Sequence, residues 1–447
     1  MHMPQTYMIP ASHALRDKQL IAKASLEAML AVEGGQHADR ALNMAGRRFR
    51  LAPEDRLAVK LWLYHTLRWR ERFDGLLRAT TGPWDDSACR NAARLALSSV
   101  FEREADPELV AALEETLALR DRHGEARLLR PVTMIAEATA HQESLAETHS
   151  HPEWMVQLLT AQYPDELIAL LQANNAEPPI TLCVNPLKID REDLQQVLAK
   201  EGIDTVPGIY SPLALHLVTP ADVYRSQAFR DGLFQQQDEA AQLLGFLAAS
   251  GTNGLLVDAL AAGGEYTLQI AALLQNRGRV LATEAEEERL IRIGVYAQRA
   301  GIRNVDVQGL EAGGIPTPLV EKADTVLLEA PNSGLGVLRR NPDAKWRLDA
   351  SAIEELAARQ TGLLALWAQA VKPGGLLVYA TATVTRQENQ SVVEQFLATQ
   401  PGFHVEPAQP HLPGAAASFC TPEGYYQSMP HRHGTDGLFA VRLRRKA

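Results

Sequence analysis

Three cysteines in 447 residues, Cys89, Cys183 and Cys420, are too few and too scattered for a disulfide framework or a zinc site. No apolar run approaches the ~18 residues of a membrane span, and no basic stretch followed by an apolar one opens the chain. A cytoplasmic protein with no membrane partner is expected. Positive charge is also in short supply: 44 Lys and Arg stand against 54 Asp and Glu, for a net charge of -10. That balance argues against a protein that coats nucleic acid, because phosphate contacts need clustered Lys and Arg; a local basic patch is a separate question. Internal repeats and low-complexity linkers are absent. What is present is 46% apolar and 22% charged residues, the composition of a globular chain long enough for two or three domains.

Residues 11–145 carry helical periodicity and almost no strand signal. Apolar residues recur at three- and four-residue spacing over 11–32 and 55–77, and Pro53 ahead of Glu54 and Asp55 fits a helix start. The densest basic cluster lies here: Arg47, Arg48, Arg50, Arg56, Lys60, Arg68, Arg70, Arg72 and Arg78, with Trp62, Tyr64 and Trp69 interleaved. The arginines read either as a face that docks RNA or as the solvated side of an amphipathic helix. The aromatics read as core.

A second segment, 150–235, opens at Ser150-His151-Pro152-Glu153-Trp154. It is helical to about Asn175 and stops at Pro178-Pro179. A strand over 180–186, a helix over 190–200 and a short β segment over 213–218 follow. From residue 236 to 447, short apolar runs at 255–258, 279–284, 324–329 and 376–379 are mostly separated by helical stretches of ~15 residues, the arrangement of βαβ units around a parallel sheet. The expected fold is therefore multi-domain: an all-α N-terminal domain, a small α+β subdomain and a C-terminal α/β Rossmann-like domain.

Two loops at strand ends carry the chemistry: Glu329-Ala330-Pro331-Asn332-Ser333-Gly334 and Tyr379-Ala380-Thr381-Ala382-Thr383-Val384. A third, Asp258-Ala259-Leu260-Ala261-Ala262-Gly263-Gly264-Glu265-Tyr266-Thr267, follows the first strand, and Glu284 closes the second. A Gly-Gly loop after a strand is a weak signal alone. With an acid at the end of the next strand and the two later loops in order, it points to a class I methyltransferase domain, which holds its cofactor at the carboxyl ends of the first strands.

These loops resemble signature motifs of the RNA cytosine-5 methyltransferases of the Sun type. So do the run Gly334–Trp346, the pair Glu388-Asn389 and the stretch from His431 to Phe439. By the same resemblance, residues 11–145 are similar to the helical domain of the antiterminator NusB, and 150–235 to a small RNA-binding subdomain. The resemblance implies S-adenosylmethionine as cofactor, held by Asp258, Leu260, Ala261, Ala262, Gly263, Gly264, Glu265, Tyr266, Glu284, Leu310 and Glu329. Arg339, Arg340 and Lys345, within the matching run, read either as RNA contacts or as the solvated face of a helix. The resemblance places the family's two cysteines, the adduct-forming nucleophile and the product-releasing thiol, at Ala382 and Asn332, beside Glu329. The family loop reads Asp-Leu-Cys-Ala-Ala-Pro-Gly-Gly-Lys-Thr; here Leu260 replaces Cys, Gly263 replaces Pro, Glu265 replaces Gly and Tyr266 replaces Lys. Cys183 stands where the family has Arg before Val-Asn-Pro, and Leu310 where it has an Asp facing the adenine. The cofactor loop thus reads as degraded. His431 and His433 read as structural or rim residues, and no metal is expected.

Neither Ala nor Asn can add to position 6 of cytosine, the step that makes position 5 reactive in this family. The expectation is a diverged relative that does not methylate cytosine at position 5 and acts as an RNA-binding or regulatory factor. A repurposed enzyme is the alternative: an N- or O-methyltransferase, or other chemistry on a small molecule, in which orientation and proton removal suffice. Ordinary 5-methylcytosine formation in ribosomal RNA is the third. Oligomeric state is left open.

Overall fold

The computed structural model describes residues 17–80, 86–101, 107–118, 143–252, 254–310 and 315–447. Residues 11–16, 81–85, 102–106 and 119–142 of the expected helical segment lie outside these. The chain divides into two compact units, one of residues 1–177 with 338–350, the other of 178–337 with 351–447.

The first unit is helical. Asp17 caps the helix Lys18–Glu33 by accepting from the Leu20 amide, and Pro53 opens the helix Pro53–Arg68 with Glu54 and Asp55 in its first turn. Small residues let these helices approach closely: Ala22, Ala24, Ala28, Ala92, Ala93 and Ala96 are fully buried around Leu63, Leu67 and Phe73. The helices Glu153–Gln162 and Leu167–Asn175 are grouped with this unit by their contacts.

Residues 338–350, which follow one of the signature loops, are built into the helical unit. Lys345 is the tie. Its side chain is fully buried, and Nζ donates to the Ser150 carbonyl (2.9 Å), the Arg68 carbonyl (3.3 Å) and Asn175 Oδ1 (2.5 Å). Three acceptors suit an ammonium, although burial, reinforced by Arg68, pushes its pKa well down. Beside it, Trp346 Nε1 donates to the Leu67 carbonyl and Asp343 accepts from the Ala38 amide.

The second unit holds two sheets. Strands β1 (Thr181–Val184), β2 (Thr205–Pro207), β3 (Ala214–Leu217) and β4 (Phe234–Gln236) form an antiparallel sheet in the order β2-β3-β1-β4. The helix Arg191–Lys200, capped by Asp190, packs its Leu194 and Leu198 in this subdomain's core.

The larger sheet contains β5 (Leu255–Ala259), β6 (Arg279–Glu284), β7 (Val305–Gly309), β8 (Ala323–Glu329), β9 (Val371–Thr381), β10 (Phe403–Glu406), β11 (Tyr426–Gln427) and β12 (Phe439–Arg445). Its order is β10-β12-β9-β8-β5-β6-β7, with β11 paired to β12. Strands β5 to β9 run parallel; β12 runs antiparallel to both of its neighbours, β9 and β10. The order reverses between β5 and β8, and the loops after those two strands therefore flank the crevice where open α/β sheets bind ligands. No helix among the described residues is long and apolar enough to cross a membrane.

Replacing Lys345 with Ala leaves three buried oxygens without their donor, at a cost on the order of 3 kcal/mol. K345A is expected to lower the melting temperature of the helical unit by roughly 6–12 °C. A melt within 2 °C of wild type would contradict this role.

Candidate active site

The loop after β5 turns through three left-handed residues, Leu260 (φ 62°), Ala262 (φ 48°) and Gly264 (φ 85°). Only the glycine adopts that geometry freely; Leu260 and Ala262 cost on the order of 1 kcal/mol each. The turn is held by Ala261 N donating to the Thr283 carbonyl and Gly264 N to the Ala261 carbonyl, both at 2.8 Å. The helix Glu265–Leu273 starts directly afterwards.

Carboxylates gather around this turn. Asp258, at the end of β5, is buried and accepts from the Thr267 hydroxyl; burial, with Glu265 and Glu284 nearby, pushes its pKa up to about 7. Glu329, at the end of β8, is raised to about 7 by burial and by Asp258 and Glu265. Glu265 folds its carboxylate into the space a side chain on Gly263 would need. Tyr266 is driven far above the ordinary phenol range, by burial first and then by Glu329. Among the described residues, none of Asp258, Glu265 and Glu329 has an ion-pair partner. Glu284 is engaged locally, accepting from the Ala285 and Glu286 amides (2.7 and 3.1 Å) and from Arg289 (3.3 Å). Leu310 packs against the apolar cluster that includes Val257 and Ala259.

The loops after β8 and β9 are joined by one side chain that sequence reasoning singled out only as part of a motif. Glu388, fully buried, accepts from Ser333 N (2.8 Å), Ser333 Oγ (2.6 Å), Gln360 Nε2 (3.0 Å), Thr383 Oγ1 (3.0 Å) and Thr385 Oγ1 (2.8 Å). Its neighbour Asn389 accepts from the Thr381 hydroxyl and donates to the Thr383 carbonyl. The alternation Thr381, Thr383, Thr385 ahead of an acid was the available signal.

Asn332 is consumed by its own loop: Nδ2 donates to the Ala330 carbonyl and Oδ1 accepts from Gly334 N, both at 2.9 Å. The Ala382 carbonyl accepts from Gly336 N at 3.0 Å. Gly336 lies against the Gly437 backbone, leaving no room for a side chain. No thiol replaces the missing pair. Cys183 is buried in β1, Cys89 belongs to the helical unit, and Cys420, whose pKa is raised by burial, bridges to Tyr426 through its backbone.

Three residues were expected to contact RNA. Lys345 has no surface through which a phosphate could reach it, Arg339 is buried and Arg340 half-buried, all in the helical unit. Trp62 donates to the Leu95 carbonyl from the core, while Arg47, Arg48 and Arg50 are exposed.

A seven-strand path with this order, a left-handed loop after its first strand and carboxylates at the ends of the strands beside the switch point define a class I methyltransferase domain. Residues 246–444 match the model of the 16S rRNA methyltransferase RsmB/F family, and residues 151–224 match the ferredoxin-like domain of RsmF/B-like methyltransferases. The chain belongs to the RsmB/F family. It is 36% identical over 301 residues to ribosomal RNA small subunit methyltransferase B of Vibrio cholerae, covering 66% of this chain and 67% of that one. It is 33% identical over 307 residues to the probable methyltransferase B of Synechocystis, covering 68% of each. Among solved structures, PH0851 superposes with a TM-score of 0.79 over 96% of this chain and 98% of its own, at 24% identity. NSun6 from Pyrococcus horikoshii, solved with SFG, gives 0.57 over 66% of this chain and 98% of its own, at 20% identity.

These relatives overturn the expectation of a non-catalytic factor or an enzyme for small molecules. Proteins a third identical over two-thirds of the chain carry the names of ribosomal RNA methyltransferases.

Glu388→Ala strips five donors of their acceptor, and a loss of roughly 3 kcal/mol is expected in the α/β unit, read from denaturant midpoints. Glu388→Gln, which keeps one oxygen, should recover part of it. An alanine variant within about 0.5 kcal/mol of wild type would sink the assignment.

Proposed function

We propose that this chain transfers a methyl group from S-adenosylmethionine to a base in small-subunit ribosomal RNA. The observation that carries the reading is 36% identity to a small-subunit ribosomal RNA methyltransferase across 66% of the chain, spanning the strand-end loops. The charge of the pocket supports the cofactor. Asp258, Glu265 and Glu329 repel one another and lack cations of their own, and the sulfonium and ammonium of S-adenosylmethionine are the charges that such a set accommodates. Glu284 stands at the strand end suited to ribose hydroxyls, and Leu310 offers an apolar edge to the adenine. The substitutions read from sequence as degradation therefore change the character of the pocket toward binding cations.

When bound, S-adenosylmethionine supplies an electrophilic methyl on sulfur. The chain's own part is to seat the acceptor base at the ends of β8 and β9, on loops fixed by Glu388, and to manage its proton. Glu329, with a pKa of about 7, matches the working range of a general base. Asn332 and Ala382 carry no sulfur, so no thioether to the base forms at those positions.

The test is transfer of radiolabelled methyl from S-adenosylmethionine to 16S rRNA and to 30S subunits, followed by nucleoside mass spectrometry. Label in one methylated base, lost in Glu329→Gln by roughly 100-fold or more, is the expected outcome. Absence of label in both substrates, with the cofactor demonstrably bound, would refute the function.

A further inference from the structure

We infer that the junction between the small sheet and the helix Glu287–Ala300 is a stacking subsite for an unpaired RNA base, a reading that rests on the RNA substrate proposed above.

Four side chains build the seat. Phe229 packs on the buried Phe234 with ring centroids 5.7 Å apart, which anchors it to the subdomain core. The Arg299 guanidinium lies 3.8 Å from the Phe229 centroid and 4.7 Å from that of Tyr296, held between two aromatic faces. Tyr224 meets Phe229 edge-on, at 4.9 Å and 90°, and its hydroxyl donates to Gln236 Oε1 at 2.8 Å. That bond fixes the ring, yet Tyr224 remains 55% exposed.

The backbone beneath is tied from both sides. Lys188 Nζ donates to the Asp231 and Arg299 carbonyls, both at 2.6 Å, and Asn185 Nδ2 to the Gly232 and Ala300 carbonyls, both at 2.9 Å. Such a seat keeps its shape without a ligand, so little ordering entropy remains to be lost on binding.

The charge at this seat is the unusual part. In a chain with an excess of acids, Arg299 has no carboxylate partner among the described residues, and its Nε is buried without a hydrogen-bond acceptor. Burial lowers its pKa. Nearby in sequence, Arg230 bonds only Gln227 and the Arg225 carbonyl, again with no carboxylate among the described residues. An exposed, immobilised ring beside a guanidinium with no carboxylate partner among the described residues is what a single-stranded nucleotide uses: the base stacks on the ring, and Arg299 takes the phosphate.

The experiment compares the full chain with Tyr224→Ala and Tyr224→Phe for binding of 16S rRNA fragments by anisotropy. Ultraviolet crosslinking of 5-iodouridine RNA, with peptide mapping, runs alongside, and melts check folding. Loss of roughly ten-fold in RNA affinity for Y224A is expected, with near-complete retention in Y224F and crosslinks within residues 223–230. Arg299→Lys, which keeps charge and loses the planar fork, should weaken binding as well. Equal affinity of wild type and Y224A overturns this subsite alone. A wild-type chain that binds no RNA overturns it together with the proposed substrate.

Discussion

The site depends on one buried carboxylate. Glu388 accepts from both loops that leave the central strands β8 and β9, and from Gln360 on the helix Ala350–Ala368 beneath them. Loops at a sheet edge are ordinarily the least ordered part of an α/β domain. Here the acceptor capacity of a single acid replaces several separate restraints, and charge-assisted bonds of this kind are roughly twice as strong as neutral ones. Everything proposed for catalysis, from the position of Glu329 to that of the acceptor base, inherits its geometry from that clamp.

The second constraint is electrostatic. Asp258 and Glu329 sit near pKa 7 because burial and mutual repulsion disfavour their charged forms. Between the ordinary carboxyl range and about 7, the folded chain therefore holds more protons than the unfolded one. By linkage, these two groups make the free protein less stable as pH rises through that window. A cation placed among them reverses the effect. These carboxylates store instability that a positively charged ligand would relieve, in keeping with strain and unfavourable charge collecting at functional sites.

Much of the fold was legible. Strands β5, β6 and β8 are buried on both faces and read as continuous apolar runs, and Asp190 and Pro53 announced their helices. The strand β7 was not, because it lies at the sheet edge with Asp306 and Val307 exposed, and Val305 and Val307 are too short an apolar alternation to stand out. Lys345 was misread for a related reason: in a four-residue helix, periodicity does not say which way a side chain points, and here it points inward. The loop after β5 was expected to hold the cofactor, and Glu265 and Tyr266 were read there only as losses. Their meaning depends on Asp258 and Glu329, brought close to them by adjacent parallel strands that are far apart in sequence. Glu388 was hidden similarly, since its five donors come from three separate segments.

The most direct test of a working cofactor pocket is calorimetric titration with S-adenosylmethionine at pH 7 in buffers of different ionisation enthalpy. Two groups with pKa values of about 7 hold about one proton between them, and a bound cation should expel it. The account predicts release of about one proton per cofactor, with tighter binding as pH rises from 6 to 8. Binding heat that does not vary with the buffer, or no binding at all, would contradict it.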